Sequence, residues 1–89
     1  MDYYLIENGR YFAIVEEYVL AKIKRLNKGL NIHSLYTIKK LNDDDNWDNI
    51  INDKQERTNK RYTSIEDEEE IRDYGFVEEW NKNGYSCSV

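Results

Sequence analysis

At 89 residues the chain has room for one domain, residues 1–89, and for a thin core, because a unit of this size buries only about 60–65% of the surface its unfolded chain exposes. Aromatic residues make up 13% of the chain, eight of them Tyr, which gives enough ring area for a folded core. The lone cysteine, Cys87, excludes an internal disulfide framework and a Cys/His zinc cluster, and no apolar run approaches the roughly 18 residues of a membrane span.

The first segment is the most sharply patterned. Residues 3–7 and 10–15 are rich in aromatic and β-branched side chains, and Asn8-Gly9 lies between them. Asn and Gly accept the positive φ angles of a two-residue hairpin turn. That turn sets Glu7 opposite Arg10, Ile6 opposite Tyr11 and Leu5 opposite Phe12. The last two pairs fall on opposite faces, so both faces of the hairpin carry apolar side chains. Such a hairpin belongs inside a sheet, or under a helix on one side and a partner on the other; a homodimer is one way to supply that partner.

Residues 16–28 predict a helix. Glu16 and Glu17 stand at the positive end of its dipole, and Lys22, Lys24, Arg25 and Lys28 toward the negative end. Val19, Ile23, Leu26 and Leu30 form a helical stripe, with Gly29 as the stop. Residues 35–41 read as a third strand whose Lys39 and Lys40 suit a protected edge. Asp45 is positioned to cap a short helix through Trp47, Ile50 and Ile51. Residues 52–60 hold no apolar member and read as an exposed loop, and 61–63 as a short strand. Ser64 is placed to cap a further helix with Asp67 near the capping-box position, and Gly75 to end or bend it. From Phe76 onward, Asn83-Gly84 fits either a helix end or the turn of a second hairpin. This order predicts an α+β domain: a small antiparallel sheet, made of the N-terminal hairpin plus one or two further strands, packed with two or three short helices.

Catalytic and metal motifs fail on inspection. Counted from Asp43, the sixth and twelfth positions of an EF-hand loop, which require Gly and Glu, are Asp48 and Lys54. His33 is the sole histidine and has no ligand or nucleophile companion at a diagnostic spacing. Cys87 has no basic neighbour to activate it, and the four scattered glycines make no phosphate loop. The expectation is a non-enzymatic protein without cofactor or metal. Its opening residues lack a basic stretch leading into an apolar run, which points to the cytoplasm.

Charge is the more informative signal. Residues 1–41 carry four acidic and seven basic side chains, whereas residues 42–89 carry fourteen acidic and six basic. Either the two halves neutralise each other within the fold, or an acidic surface faces a basic partner. The densest anionic stretch is Glu66, Asp67, Glu68, Glu69 and Glu70, followed by Asp73, Glu78 and Glu79, with Tyr74, Phe76 and Trp80 interleaved. Carboxylates steer an encounter with a basic groove and aromatic anchors hold it. The candidate partner-binding residues are therefore Glu66 to Glu70, Asp73, Tyr74, Glu78, Glu79 and Trp80.

Small size, acidity, absence of proline and the run Glu66-Asp67-Glu68-Glu69-Glu70 ahead of aromatics give this chain a profile that resembles small acidic phage-encoded inhibitors of bacterial defence, such as anti-CRISPR proteins. The resemblance is one of profile and rests on about a dozen residues. It implies stoichiometric binding to a nucleic-acid-handling protein in the cytoplasm of a bacterial host, with carboxylates standing in for phosphates. The basic first half departs from a pure nucleic-acid mimic. Two other readings compete. One is a nucleic-acid-binding module using helix 22–28, which a pI of about 4.8 disfavours. The other is an antitoxin or immunity protein sharing the same acidic surface.

Overall fold

The computed structural model describes residues 2–28 and 30–78. The chain runs β1 (Tyr3–Glu7), β2 (Tyr11–Glu16), α1 (Glu17–Leu26), α2 (Ile32–Leu35), β3 (Thr37–Lys40), α3 (Trp47–Thr58), β4 (Arg61–Tyr62) and α4 (Glu68–Asp73). The sheet order is β3-β1-β2-β4. The α+β class holds. The sheet is mixed rather than wholly antiparallel, because β4 joins β2 in parallel, setting Tyr11 beside Arg61 and Phe12 beside Tyr62. The stops expected at Gly29 and around Asn83-Gly84 lie outside the described residues.

The hairpin forms with a register two residues away from that of an Asn-Gly turn. Asn8 occupies the first turn position rather than the second. Its Oδ1 accepts from the backbone N–H groups of Arg10 and Tyr11, both at 2.8 Å, and its own N–H donates to the Tyr11 carbonyl. Leu5 consequently faces Ile14, Ile6 faces Ala13, and Glu7 faces Phe12 instead of Arg10. A shift of two preserves the faces. Leu5 and Phe12 still share one side, where they form a cluster with Leu41, flanked by Tyr3, Ile14, Ile50 and Ile51. Ile6, Ala13 and Val15 occupy the other, in the main core with Val19, Ile23, Ile32, Ile65, Ile71 and Phe76.

The hairpin is thus central in the sheet and covered on both sides from within the chain, by α3 on one face and by α1, α2 and α4 on the other. This removes the reason for expecting a second copy. Residues 52–58, expected to be loop, continue α3. Lys, Gln, Glu and Arg favour helix without needing an apolar stripe, Asp53 pairs with Arg57 one turn on at 2.9 Å, and Asn46 rather than Asp45 caps the start. Asn59 ends the helix in the left-handed conformation at φ 58°. Leu35, expected in the strand, closes the single turn α2 instead, where Asn31 accepts from the His33 N–H.

Between α3 and the sheet lies an ion cluster. Glu7 is 8% exposed. Its carboxylate accepts from Lys54 Nζ at 2.6 Å and from Lys60 Nζ at 2.8 Å. Burial raises the Glu7 pKa, but the two lysine hydrogen bonds and their charges more than offset this, leaving the carboxyl below its ordinary value. Either lysine alone still pairs the buried charge, whereas losing both strands it. In urea unfolding, Lys54→Met and Lys60→Met are expected to cost about 1–2 kcal/mol each, and the double variant about 3–5 kcal/mol, more than the sum of the singles. A double variant no worse than either single would refute the cluster's role. Because the folded pKa is depressed, the stabilisation is complete above the unfolded carboxylate range, about 4.3, and is lost as pH falls through the folded value. Glu7→Gln should therefore flatten the acid limb of a stability–pH curve.

Candidate functional site: an acidic ridge and the cleft beside it

The acidic run falls on α4 and the residue pair before it. The helix starts three residues later than a Ser64 cap would place it. Asp67 is the N-cap, its side chain accepting from the Glu70 N–H at 2.9 Å while Glu70 Oε1 reaches back to the Asp67 and Glu66 N–H groups. Its end is a Schellman motif: Gly75 at φ 81° donates to the Arg72 carbonyl, and Phe76 N–H donates to that of Ile71. Ile71 and Phe76, both fully buried, supply the accompanying apolar contact.

With Ile71 facing the core, the helical period of about 100° per residue turns Glu69 and Asp73 outward. Both are exposed, as are Glu66, Asp67 and Glu68. Among the described residues only Glu68 of this group has a basic side chain within ion-pair distance, Arg72 at 3.8 Å. Glu69 and Asp73 thus point away from the core together, with Glu66 and Glu68 exposed beside them at the start of the helix, and we call this group the ridge; Asp67 and Glu70 are engaged in capping. Lys22 of α1 reaches the Glu66 backbone carbonyl, at 3.2 Å, and lies 5.4 Å from the centre of the Tyr18 ring.

The interleaved aromatics divide differently. Phe76 is wholly in the core, edge-on to Tyr36 at 5.4 Å. Tyr74 is half-buried, edge-on to Tyr11 at 5.0 Å. Glu79 and Trp80 lie outside the described residues. The exposed ring beside the ridge is Tyr18, on α1, where partial desolvation and then the carboxylates of Glu66 and Glu16 raise its phenol pKa. Sequence reading missed Tyr18 because its proximity to Glu66 is purely tertiary.

Two asparagines hold this region in place. Asn27, fully buried, donates to the carbonyls of Ile23 at 2.7 Å and Phe76 at 3.1 Å and accepts from the Glu78 N–H at 2.7 Å. Asn8 donates to the carbonyls of Tyr74 and Gly75 at 2.8 and 3.3 Å. Next to the ridge, a cleft of about 990 Å³ opens between the hairpin turn, α2 and the end of α4, and Arg10, Tyr11, His33, Asp73, Tyr74 and Glu78 are among the residues that line it. Tyr36, 6% exposed, also lines it, and its hydroxyl has no hydrogen-bond partner among the described residues. Burial, and then the Glu78 carboxylate, push the Tyr36 phenol far above its ordinary value, so it stays protonated.

Among the described residues, no group of three or more His, Cys, Asp or Glu side chains is gathered to hold a metal ion, and no helix is long and apolar enough to cross a membrane. Comparison with known protein families, curated proteins and solved structures finds no significant match to this chain.

Asn27→Ala would leave the Phe76 carbonyl and the Glu78 N–H without their partner in the core. It is expected to cost about 2–4 kcal/mol in urea unfolding and to speed amide exchange in α4 more than in β1. Uniform acceleration across both elements would show that Asn27 does not anchor this region in particular.

Proposed function

We propose that this chain is a non-enzymatic binding protein that presents the α4 ridge to the basic groove of a nucleic-acid-handling protein, as an inhibitor of the phage anti-defence kind. The observation that carries this reading is the exposure of Glu66, Glu68, Glu69 and Asp73, in and just before a helix anchored by the fully buried Ile71. Of the ion pairs among the described residues, none joins these carboxylates to the basic half of the chain. Lys22, the nearest cation of α1, meets the Glu66 backbone rather than its carboxylate. Exposed anionic rows steer association with a basic surface and compete with a phosphate backbone for it.

The alternative of a nucleic-acid-binding module on α1 is weakened by the same geometry, because Lys22 turns toward α4 and the ridge would repel phosphates approaching that side. An antitoxin or immunity protein would use the ridge in the same way and differs only in its target.

The test is a neutralising triple variant, Glu66→Gln, Glu68→Gln and Glu69→Gln, which spares Asp67 and Glu70 because they cap the helix. Partners captured on the immobilised full chain are identified and their affinities for both forms compared. The variant should keep its Tm and bind about tenfold more weakly, the effect of three exposed charges at about 0.5 kcal/mol each. Raised salt and duplex DNA should each displace the partner from the parent chain. Undiminished affinity in the variant would overturn the proposal.

A further inference from the structure

We infer that the cleft between the hairpin turn, α2 and the end of α4 is a socket for a guanidinium group, an arginine side chain of the partner that meets the ridge. This assignment deepens the binding reading above and rests on it.

The cleft adjoins the ridge at Asp73, an exposed residue of that group that also lines the cavity. Glu78, held by the bond from its own N–H to Asn27, supplies a second carboxylate. Tyr11 and Tyr74 present ring surface in the same wall. A planar cation with several donors suits such a lining, since guanidinium bonds carboxylates through paired N–H groups and stacks on aromatic rings. Two cations also line the cleft: Lys60 is committed to Glu7 at 2.8 Å, and Arg10 is exposed at the hairpin turn, and among the described residues neither forms an ion pair with Asp73 or Glu78.

The independent observation is the Tyr36 hydroxyl. Tyr36 lines the cleft, and its hydroxyl is buried without a partner among the described residues, although buried hydroxyls almost always have one. Tyr36 and Glu78 line the same cleft, so a small displacement of the wall lets the hydroxyl oxygen accept a hydrogen bond from an entering N–H group while that group donates to the carboxylate. An unsatisfied buried polar group costs stability, and such costs concentrate where a ligand satisfies the group on binding.

Nuclear magnetic resonance of the full chain with N-acetyl-arginine amide as probe tests the assignment, with N-acetyl-citrulline amide and N-acetyl-lysine amide as comparators. The arginine probe should shift resonances of His33, Asp73 and Tyr74 saturably, with a Kd on the order of millimolar for so small a ligand. Citrulline, isosteric but neutral, should not, and lysine should bind several-fold more weakly. Tyr36→Phe should raise the Tm yet weaken the arginine probe about fivefold, a divergence that a purely structural hydroxyl would not produce. Asp73→Asn combined with Glu78→Gln should abolish binding. Equal response to citrulline, lysine binding as tight as arginine, shifts confined to other surfaces, or full affinity in Tyr36→Phe would each overturn the socket. The two readings fail separately. A partner that still depends on Glu66, Glu68 and Glu69 while the arginine probe leaves the cleft untouched sinks the socket alone. Partner affinity unchanged in the ridge variant sinks the ridge.

Discussion

A hairpin that is apolar on both faces cannot be left half covered, and the rest of this fold follows from that requirement. Leu5 and Phe12 point one way, Ile6, Ala13 and Val15 the other. In so short a chain, helices have to be found for both sides. α1 and α4 pack on one face with help from the single turn α2. Of the described helices the other face receives α3 alone, whose apolar contribution is small, Ile50 and Ile51 with the edge of Trp47 against Tyr3 at 4.6 Å, beside Leu41 and the Tyr62 ring. The Glu7 cluster compensates, because Lys54 comes from α3 and Lys60 from the return toward β4, and both converge on a carboxylate fixed in β1. A buried ion group is a poor source of net stability, but it specifies which elements meet.

The acidic helix depends on the opposite end of the chain. Six residues are too few for a stable helix in isolation, and α4 is held by its capping box, its Schellman end and the two asparagine side chains at positions 8 and 27. Asn8 organises its own turn with Oδ1 and the end of α4 with Nδ2, so one amide links hairpin closure to placement of the ridge. Gly75 is required here by its backbone conformation, not by crowding. Its φ of 81° is left-handed, whereas a Cβ there would meet the Asn8 amide at 3.4 Å, an ordinary contact.

What the sequence made legible was what rests on local periodicity. The hairpin faces, the α1 stripe of Val19 and Ile23, and the α+β order are all carried by spacing. What it hid depends on partners far along the chain. Residues 52–58 gave no helical signal because Lys54 faces a carboxylate rather than a core, and apolar period is blind to that. The N-terminus of α4 was expected at Ser64, whose spacing to Asp67 is the same three residues that separate Asp67 from Glu70; the structure uses the second pair. The turn register depended on whether Asn8 would use a left-handed backbone or its side chain, which composition does not decide. For the ridge, the run of carboxylates was evident from composition. Their division into outward-facing and capping members was not, nor was the burial of Phe76 or the cleft beside Tyr36.

In the binding reading proposed above, ridge and cleft divide the work of recognition along the lines of range. Exposed carboxylates act over a Debye length of about 8–10 Å and are individually weak, so a row of them governs approach and orientation more than residence. Residence requires a short-range, desolvated contact, and anchoring aromatics on the ridge itself would be the usual source. The described aromatics of the run do not fill that role, since Phe76 is in the core and Tyr74 is packed against Tyr11. The nearest concave, polar and incompletely satisfied feature is the cleft that Asp73 shares with the ridge. An arginine is the side chain that both parts favour, attracted by the row and then held by paired carboxylates, ring faces and an unbonded hydroxyl. Electrostatic steering and local satisfaction of buried groups would then act on the same residue of the partner, a route by which a small domain with a thin core would obtain specificity without a large apolar interface.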